Sequence, residues 1–177
     1  MRLDPTAFSK GALQVVAHLQ RSGFEAYVVG GAIRDLLLGK QPKDFDIATN
    51  ATPEEIKQCF RNARIIGRRF QIVHVRAGGE IIEVTTFRGH HDAGQSNKTA
   101  QAAQSGRLLR DNVYGTLEED TFRRDLTINA LYYNTTTHQL IDLLNGADDI
   151  SAQLIRIIGK PVDRYTEDPV RMLRVVR

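Results

Sequence analysis

The chain has 177 residues, 41% of them hydrophobic, and a formal charge of +3 at pH 7. That length supports one domain with a true core, and no run of about 20 apolar residues is present to cross a membrane. A single cysteine, Cys59, excludes an internal disulfide and any cysteine-built zinc site. Residues 1–11 lack the apolar stretch of a secretory signal, so the expected compartment is the cytoplasm.

In chain order, Ser9 precedes Leu13, Val16 and Ala17 at helical spacing, which predicts a helix capped by Ser9 and ended at Gly23. Residues 26–29 form a short strand that runs into Gly30-Gly31, and residues 32–38 a helix closed by Gly39. A second strand, over 45–49, carries Asp44 and Asp46 at its start. Thr52-Pro53-Glu54-Glu55 is a capping box with proline at the first helical position, opening a helix towards Phe60. Strands follow at 63–66, 70–76 and 80–88, the last two joined by a hairpin at Gly78-Gly79.

Between residues 89 and 112, Gly, Ser, Asn, Gln and Ala dominate without periodicity, which reads as a long flexible loop. Thr116-Leu117-Glu118-Glu119 is a second capping box, with its helix running towards Arg124. Residues 131–134 and 140–143 suggest a small hairpin, 155–158 a further strand, and Pro161 a break. From Glu167-Asp168-Pro169 onward Val170, Leu173 and Val176 mark the apolar face of a last helix. That face has no C-cap signal after it, which suggests a piece of a longer protein. The expected fold is α/β, with a mixed sheet of about five strands and flanking helices over residues 1–135. A smaller α+β segment follows over 136–177.

The chemistry concentrates in a few places. Glycines between a strand and a helix let backbone N–H groups approach a phosphate, and the helix start favours anions. Carboxylates at i and i+2 of a strand share a face and can share a divalent cation, which relieves their repulsion. Glu83 is a charge inside an apolar strand, costly unless it ligates or pairs with Arg34 or Arg88. An aspartyl-phosphate phosphatase would place Thr or Val two positions after the second aspartate, where this chain has Ala48. Arg123 and Arg124 are adjacent arginines, which can pair with phosphates bidentately, whereas a helix C-terminus accounts for only one such charge.

Further clusters at Arg61, Arg64, Arg68 and Arg69, and at Arg107 and Arg110, suit polyphosphate or a nucleic-acid backbone. Asp168, Arg171 and Arg174 stand at i, i+3 and i+6. The first two form either an ordinary helix ion pair or a template for a base edge. His74 is core or site-lining. His90 and His91 lack a third ligand for zinc.

Five motifs in order resemble the class II branch of the nucleotidyltransferase superfamily, which holds bacterial poly(A) polymerases and CCA-adding enzymes. They are Gly30-Gly31-x-x-Arg34-Asp35, Asp44-x-Asp46, Glu83-Val84-Thr85-Thr86-Phe87-Arg88, Arg123-Arg124-Asp125 with Asn129, and Glu167-Asp168-x-x-Arg171. Gly67-Arg68-Arg69-Phe70, His74 and Phe87-Arg88-Gly89-His90-His91 are similar to the poly(A) polymerase side of that branch.

The resemblance implies template-independent transfer of AMP from ATP to an RNA 3′-hydroxyl. It implies two Mg²⁺ ions on Asp44 and Asp46, with Glu83 completing the carboxylate set. By the same resemblance Gly30, Gly31, Arg34 and Asp35 face the triphosphate. Arg123, Arg124, Asp125 and Asn129 surround ribose and phosphates, and Asp168, Arg171 and Arg174 face the base. A helical continuation that holds RNA is implied downstream. CCA addition to tRNA from CTP and ATP is the alternative within the branch. A non-catalytic nucleotide- or RNA-binding module is the alternative outside it, and such a module has no need of clustered carboxylates.

Overall fold

A computed structural model of the protein describes residues 3–68, 71–89 and 113–176. Its strands are β1 (Ala26–Val29), β2 (Asp46–Thr49), β3 (Arg64–Ile66), β4 (Ile72–Ala77), β5 (Glu80–Thr86), β6 (Leu131–Asn134) and β7 (Gln139–Asp142). Its helices are α1 (Lys10–Arg21), α2 (Gly31–Leu37), α3 (Pro53–Cys59), α4 (Leu117–Arg123), α5 (Gly146–Ser151), α6 (Pro161–Glu167) and α7 (Val170–Val176). All seven strands join one sheet, in the order β3-β4-β5-β2-β1-β6-β7. Only β2 and β5 run parallel. The connection between them passes through α3, β3 and β4, since parallel neighbours need a long crossover.

Strand alternation divides the sheet into two unlike faces. Val28, Ile47, Val73, Val75, Ile82, Val84, Leu131 and Tyr133 point to one side, where they meet Val15, Val16 and Leu19 of α1, Ile33 of α2 and Ile56 of α3 in the main core. Val29, Ala48, Phe87 and Tyr132 point to the other side, where Leu117 of α4 covers them. The rest of that second face is mixed, with Tyr27 and Ile141 packed on the small cluster and Ile66 and Ile81 exposed. Paired positions carry a row across it from Arg64 to His74, Glu83, Asp46, Val29 and Tyr132.

The helix starts follow their capping signals. Ser9 Oγ accepts the Ala12 N–H, and both capping boxes close as expected. The strand count does not follow the sequence expectation. The 131–143 hairpin adds its two strands to the main sheet beside β1, so the division expected at residue 135 falls in the turn between paired strands. The strand expected over 155–158 is reduced to one bridge, between Leu126 and Ile157. Helix α5 was not legible because a side chain from outside it builds its start. The Asp142 carboxylate accepts the N–H groups of Leu144, Gly146 and Ala147.

Pro161 opens α6 instead of breaking the chain, as a proline at a first helical position does. The terminal segment is two short helices, because Pro169 disfavours a helical Asp168 before it. The loop expected after Gly89 and the residues His90 and His91 lie outside the described residues. The described ends of that segment are paired, with Gly89 N–H bonding Val113 O and Gly115 N–H bonding Phe87 O. Among the described residues no helix is long and apolar enough to cross a membrane.

Candidate active site

The site lies on the second face, where β1 ends, β2 begins and the middle of β5 runs beside them. Strand β1 runs into Gly30, whose φ of 80° and ψ of −139° belong to glycine's own range. Its N–H bonds Leu131 O at 3.1 Å, and it caps α2 without a side chain. A Cβ at Gly30 would stand 3.9 Å from Arg124 Nη1 and 3.9 Å from the Asn129 carbonyl oxygen. Helix α2 presents Arg34, which donates to Asn129 Oδ1 at 2.8 Å and to Asp35 Oδ1 at 2.7 Å. Asp35 and Asn129 therefore hold Arg34 in place beside the glycine turn.

Asp46 is the register partner of Val29, the residue before Gly30, and on its other side of Glu83. Asp44 lies just before β2, so strand alternation does not align it with Asp46. The two are joined electrostatically instead. Partial burial pushes the Asp46 carboxyl up to about 6, and the charges of Glu83 and then Asp44 add to the rise, while Arg124 opposes it. Asp46 still keeps a solvent-facing side. Among the described residues neither Asp44 nor Asp46 accepts a hydrogen bond. Glu83 stands 3.4 Å from His74 Nε2, whereas Arg34, one of its expected partners, is turned to Asp35 and Asn129. His74 is thus site-lining.

At the end of α4, Arg124 donates from Nε to the Tyr132 hydroxyl at 2.8 Å and from Nη2 to Asp120 Oδ2 at 2.9 Å. Burial disfavours its charge, but Tyr132 and Asp120 more than offset this and the guanidinium stays protonated. Burial, with the Asp120 charge, raises the Tyr132 phenol, against the lowering effect of Arg124. Neither Asp120 nor Tyr132 stood out in the sequence. The available signal was Asp120 at i−4 from Arg124, on one helix face.

The carbonyls of Arg123 and Arg124 accept Arg164 Nη2 at 2.6 and 2.7 Å, so α6 is tied to the end of α4. Arg123 Nη1 is buried without a hydrogen-bond partner among the described residues. Asp125 takes the Leu126 N–H at 2.8 Å and Arg174 Nη1 at 3.2 Å. The expected Asp168–Arg171 pair does not form. Arg171 bonds Glu167 Oε2 at 2.7 Å and Arg164 O at 2.8 Å, while Asp168 accepts the Val170 N–H. The break at Pro169 separates the two, and Glu167 at i−4 competes successfully.

Asp44, Asp46 and Glu83 are hard oxygen donors suited to Mg²⁺, and their mutual repulsion calls for a cation. Among the described residues no three Asp, Glu, His or Cys side chains are close enough to cage a metal unaided.

Residues 26–156 match the family described as the poly A polymerase head domain. Poly(A) polymerase I of Haemophilus influenzae is 56% identical over 176 residues, covering 99% of this chain and 39% of that protein. A CCA-adding enzyme of Lactobacillus helveticus is 41% identical over 98% of this chain and 41% of its own length. The Bacillus stearothermophilus CCA-adding enzyme, solved in complex with CTP, superposes with a TM-score of 0.76 at 36% identity, over 94% of this chain and 37% of that one. The chain spans about two fifths of these relatives. It belongs to the poly A polymerase head-domain family.

Proposed function

We propose that this chain is the catalytic part of a polynucleotide adenylyltransferase, which moves AMP from ATP to the 3′-hydroxyl of RNA and releases pyrophosphate. The observation that carries the reading is the meeting of Asp46, Glu83 and Asp44 beside the Gly30 turn, with Arg124 across from them. Asp44 and Asp46, with Glu83 beside them, would hold two Mg²⁺ ions. Bound there, Mg²⁺ lowers the pKa of the attacking hydroxyl and neutralises charge on the departing pyrophosphate. Gly30 and Gly31 face the triphosphate with no side chain in the way, and Arg34, fixed by Asp35 and Asn129, neutralises part of its charge. Arg123, Arg124 and Asp125, joined by Asn129, hold ribose and phosphates.

Asp168, Arg171 and Arg174 address the base. Adenine and cytosine each offer a donor beside an acceptor on the matching edge, so a carboxylate and a guanidinium accept both. Pocket shape and the rigidity of these side chains make the choice. The bond between Arg171 and Glu167 supplies that rigidity here.

The test is primer extension by the protein that carries this chain, with Mg²⁺, a non-tRNA primer and each nucleoside triphosphate separately. ATP is expected to extend the primer in preference to CTP. Equal use of both, or addition to tRNA that halts after CCA, would move the assignment to CCA addition. Absence of pyrophosphate release with every nucleotide would leave only a binding module.

A further inference from the structure

We propose that Asp120 and Tyr132 are positioning residues, which fix the Arg124 guanidinium with one nitrogen turned to the Gly30 turn, where it meets the nucleotide triphosphate. The inference rests on the nucleotidyl-transfer reading above. Two of the three guanidinium nitrogens are committed, Nε to the Tyr132 hydroxyl at 2.8 Å and Nη2 to Asp120 Oδ2 at 2.9 Å. The same Asp120 oxygen accepts the Tyr132 O–H at 2.7 Å, which closes a triangle. Asp120 Oδ1 accepts the Arg88 N–H at 3.2 Å, tying the triangle to the chain that leaves β5. The third nitrogen, Nη1, is the one beside Gly30.

The Tyr132 ring cannot swing out of this arrangement. It is fully buried and packs edge-on against Tyr27 and Phe87, with interplanar angles of 89° and 78°. The guanidinium also lies over it, 5.0 Å from the ring centroid. A free arginine carries large rotamer entropy, and ordering it before the ligand arrives removes that cost from binding. Satisfaction of a buried tyrosine needs no arginine, because Tyr132 and Asp120 already bond each other. What the arginine adds is a fixed charge at a turn with no side chain in front of it, within electrostatic reach of Asp46.

Calorimetric titration with MgATP and with magnesium tripolyphosphate tests this, using wild type, Tyr132→Phe, Arg124→Lys and the double variant. Tyr132→Phe keeps the ring and removes only the hydroxyl. It is expected to weaken both ligands by the same factor, on the order of tenfold, since a charge-assisted hydrogen bond orders Arg124. In the Arg124→Lys background the same change is expected to cost less than about twofold, because the effect travels through Arg124. Equal losses in both backgrounds, or wild-type affinity in Tyr132→Phe, would overturn the positioning role and leave the transferase reading standing. Should Tyr132→Phe fail to fold, Asp120→Asn is read in the same two backgrounds by the same criterion. A wild type that binds neither ligand would overturn the transferase reading and this role with it.

Discussion

Replacing Asp46 with Asn is expected to stabilise the metal-free protein at neutral pH while abolishing its chemistry. In the folded chain burial, then Glu83 and Asp44, push the Asp46 carboxyl from 3.8 to about 6. The sign follows from linkage. Below pH 3.8 folded and unfolded chains both hold the proton and no penalty exists. Between there and pH 6 the unfolded chain ionises while the folded one resists. Above pH 6 the folded carboxylate is charged against its surroundings and the penalty is complete.

At about 1.36 kcal/mol for each pKa unit the full penalty would be about 3 kcal/mol. More than a third of Asp46 remains accessible, so screening by solvent reduces this to about 1 kcal/mol. For a chain of this size that is a shift of roughly 3 °C in melting temperature. The assay is thermal denaturation of wild type and Asp46→Asn in EDTA from pH 4 to 8. The variant should melt higher at pH 7.5 and the advantage should fade towards pH 4. Added Mg²⁺ should stabilise wild type and not the variant. A variant that melts at or below wild type at pH 7.5, or an advantage that does not change with pH, would refute the reasoning.

Asp44→Ala or Asp46→Ala should leave the fold intact by circular dichroism and lower the extension rate by about 10³-fold or more, equivalent to about 4 kcal/mol of transition-state stabilisation; retention of a tenth of the wild-type rate at saturating Mg²⁺ would contradict the metal assignment. Gly30→Ala forces a side chain into a positive-φ position, which costs on the order of 1–3 kcal/mol. Urea denaturation should show that loss, and the KM for ATP should rise because the glycine turn shifts. Thr116→Ala removes the side chain that accepts the Glu119 N–H and should cost about 1 kcal/mol in the same denaturation assay.

Local chemistry determined whatever could be read from the sequence alone. Ser9, Thr52 and Thr116 announce helix starts because the capping bond spans only three residues. The strands up to β5 were legible because their apolar runs are bounded by glycines and turns, and the candidate site residues because their spacing repeats a known pattern of chemistry. What the sequence could not contain is the pairing of elements far apart in the chain. Nothing local shows that β6 and β7 join β1 and not a separate small sheet, since strand neighbours are chosen by tertiary packing. Nothing local places Glu83 opposite Asp46, 37 positions earlier, until the parallel register of β2 and β5 does so.

The expected i, i+2 alignment of Asp44 and Asp46 gave way to electrostatic convergence, because the strand begins only at Asp46. Asp168 and Arg171 were placed on one helix by their spacing, yet Pro169 splits that helix and hands Arg171 to Glu167. Nothing local singles out Asp120 or Tyr132. Only the folded chain sets them on Arg124, because their bonds join a helix to a strand that later packs beneath it.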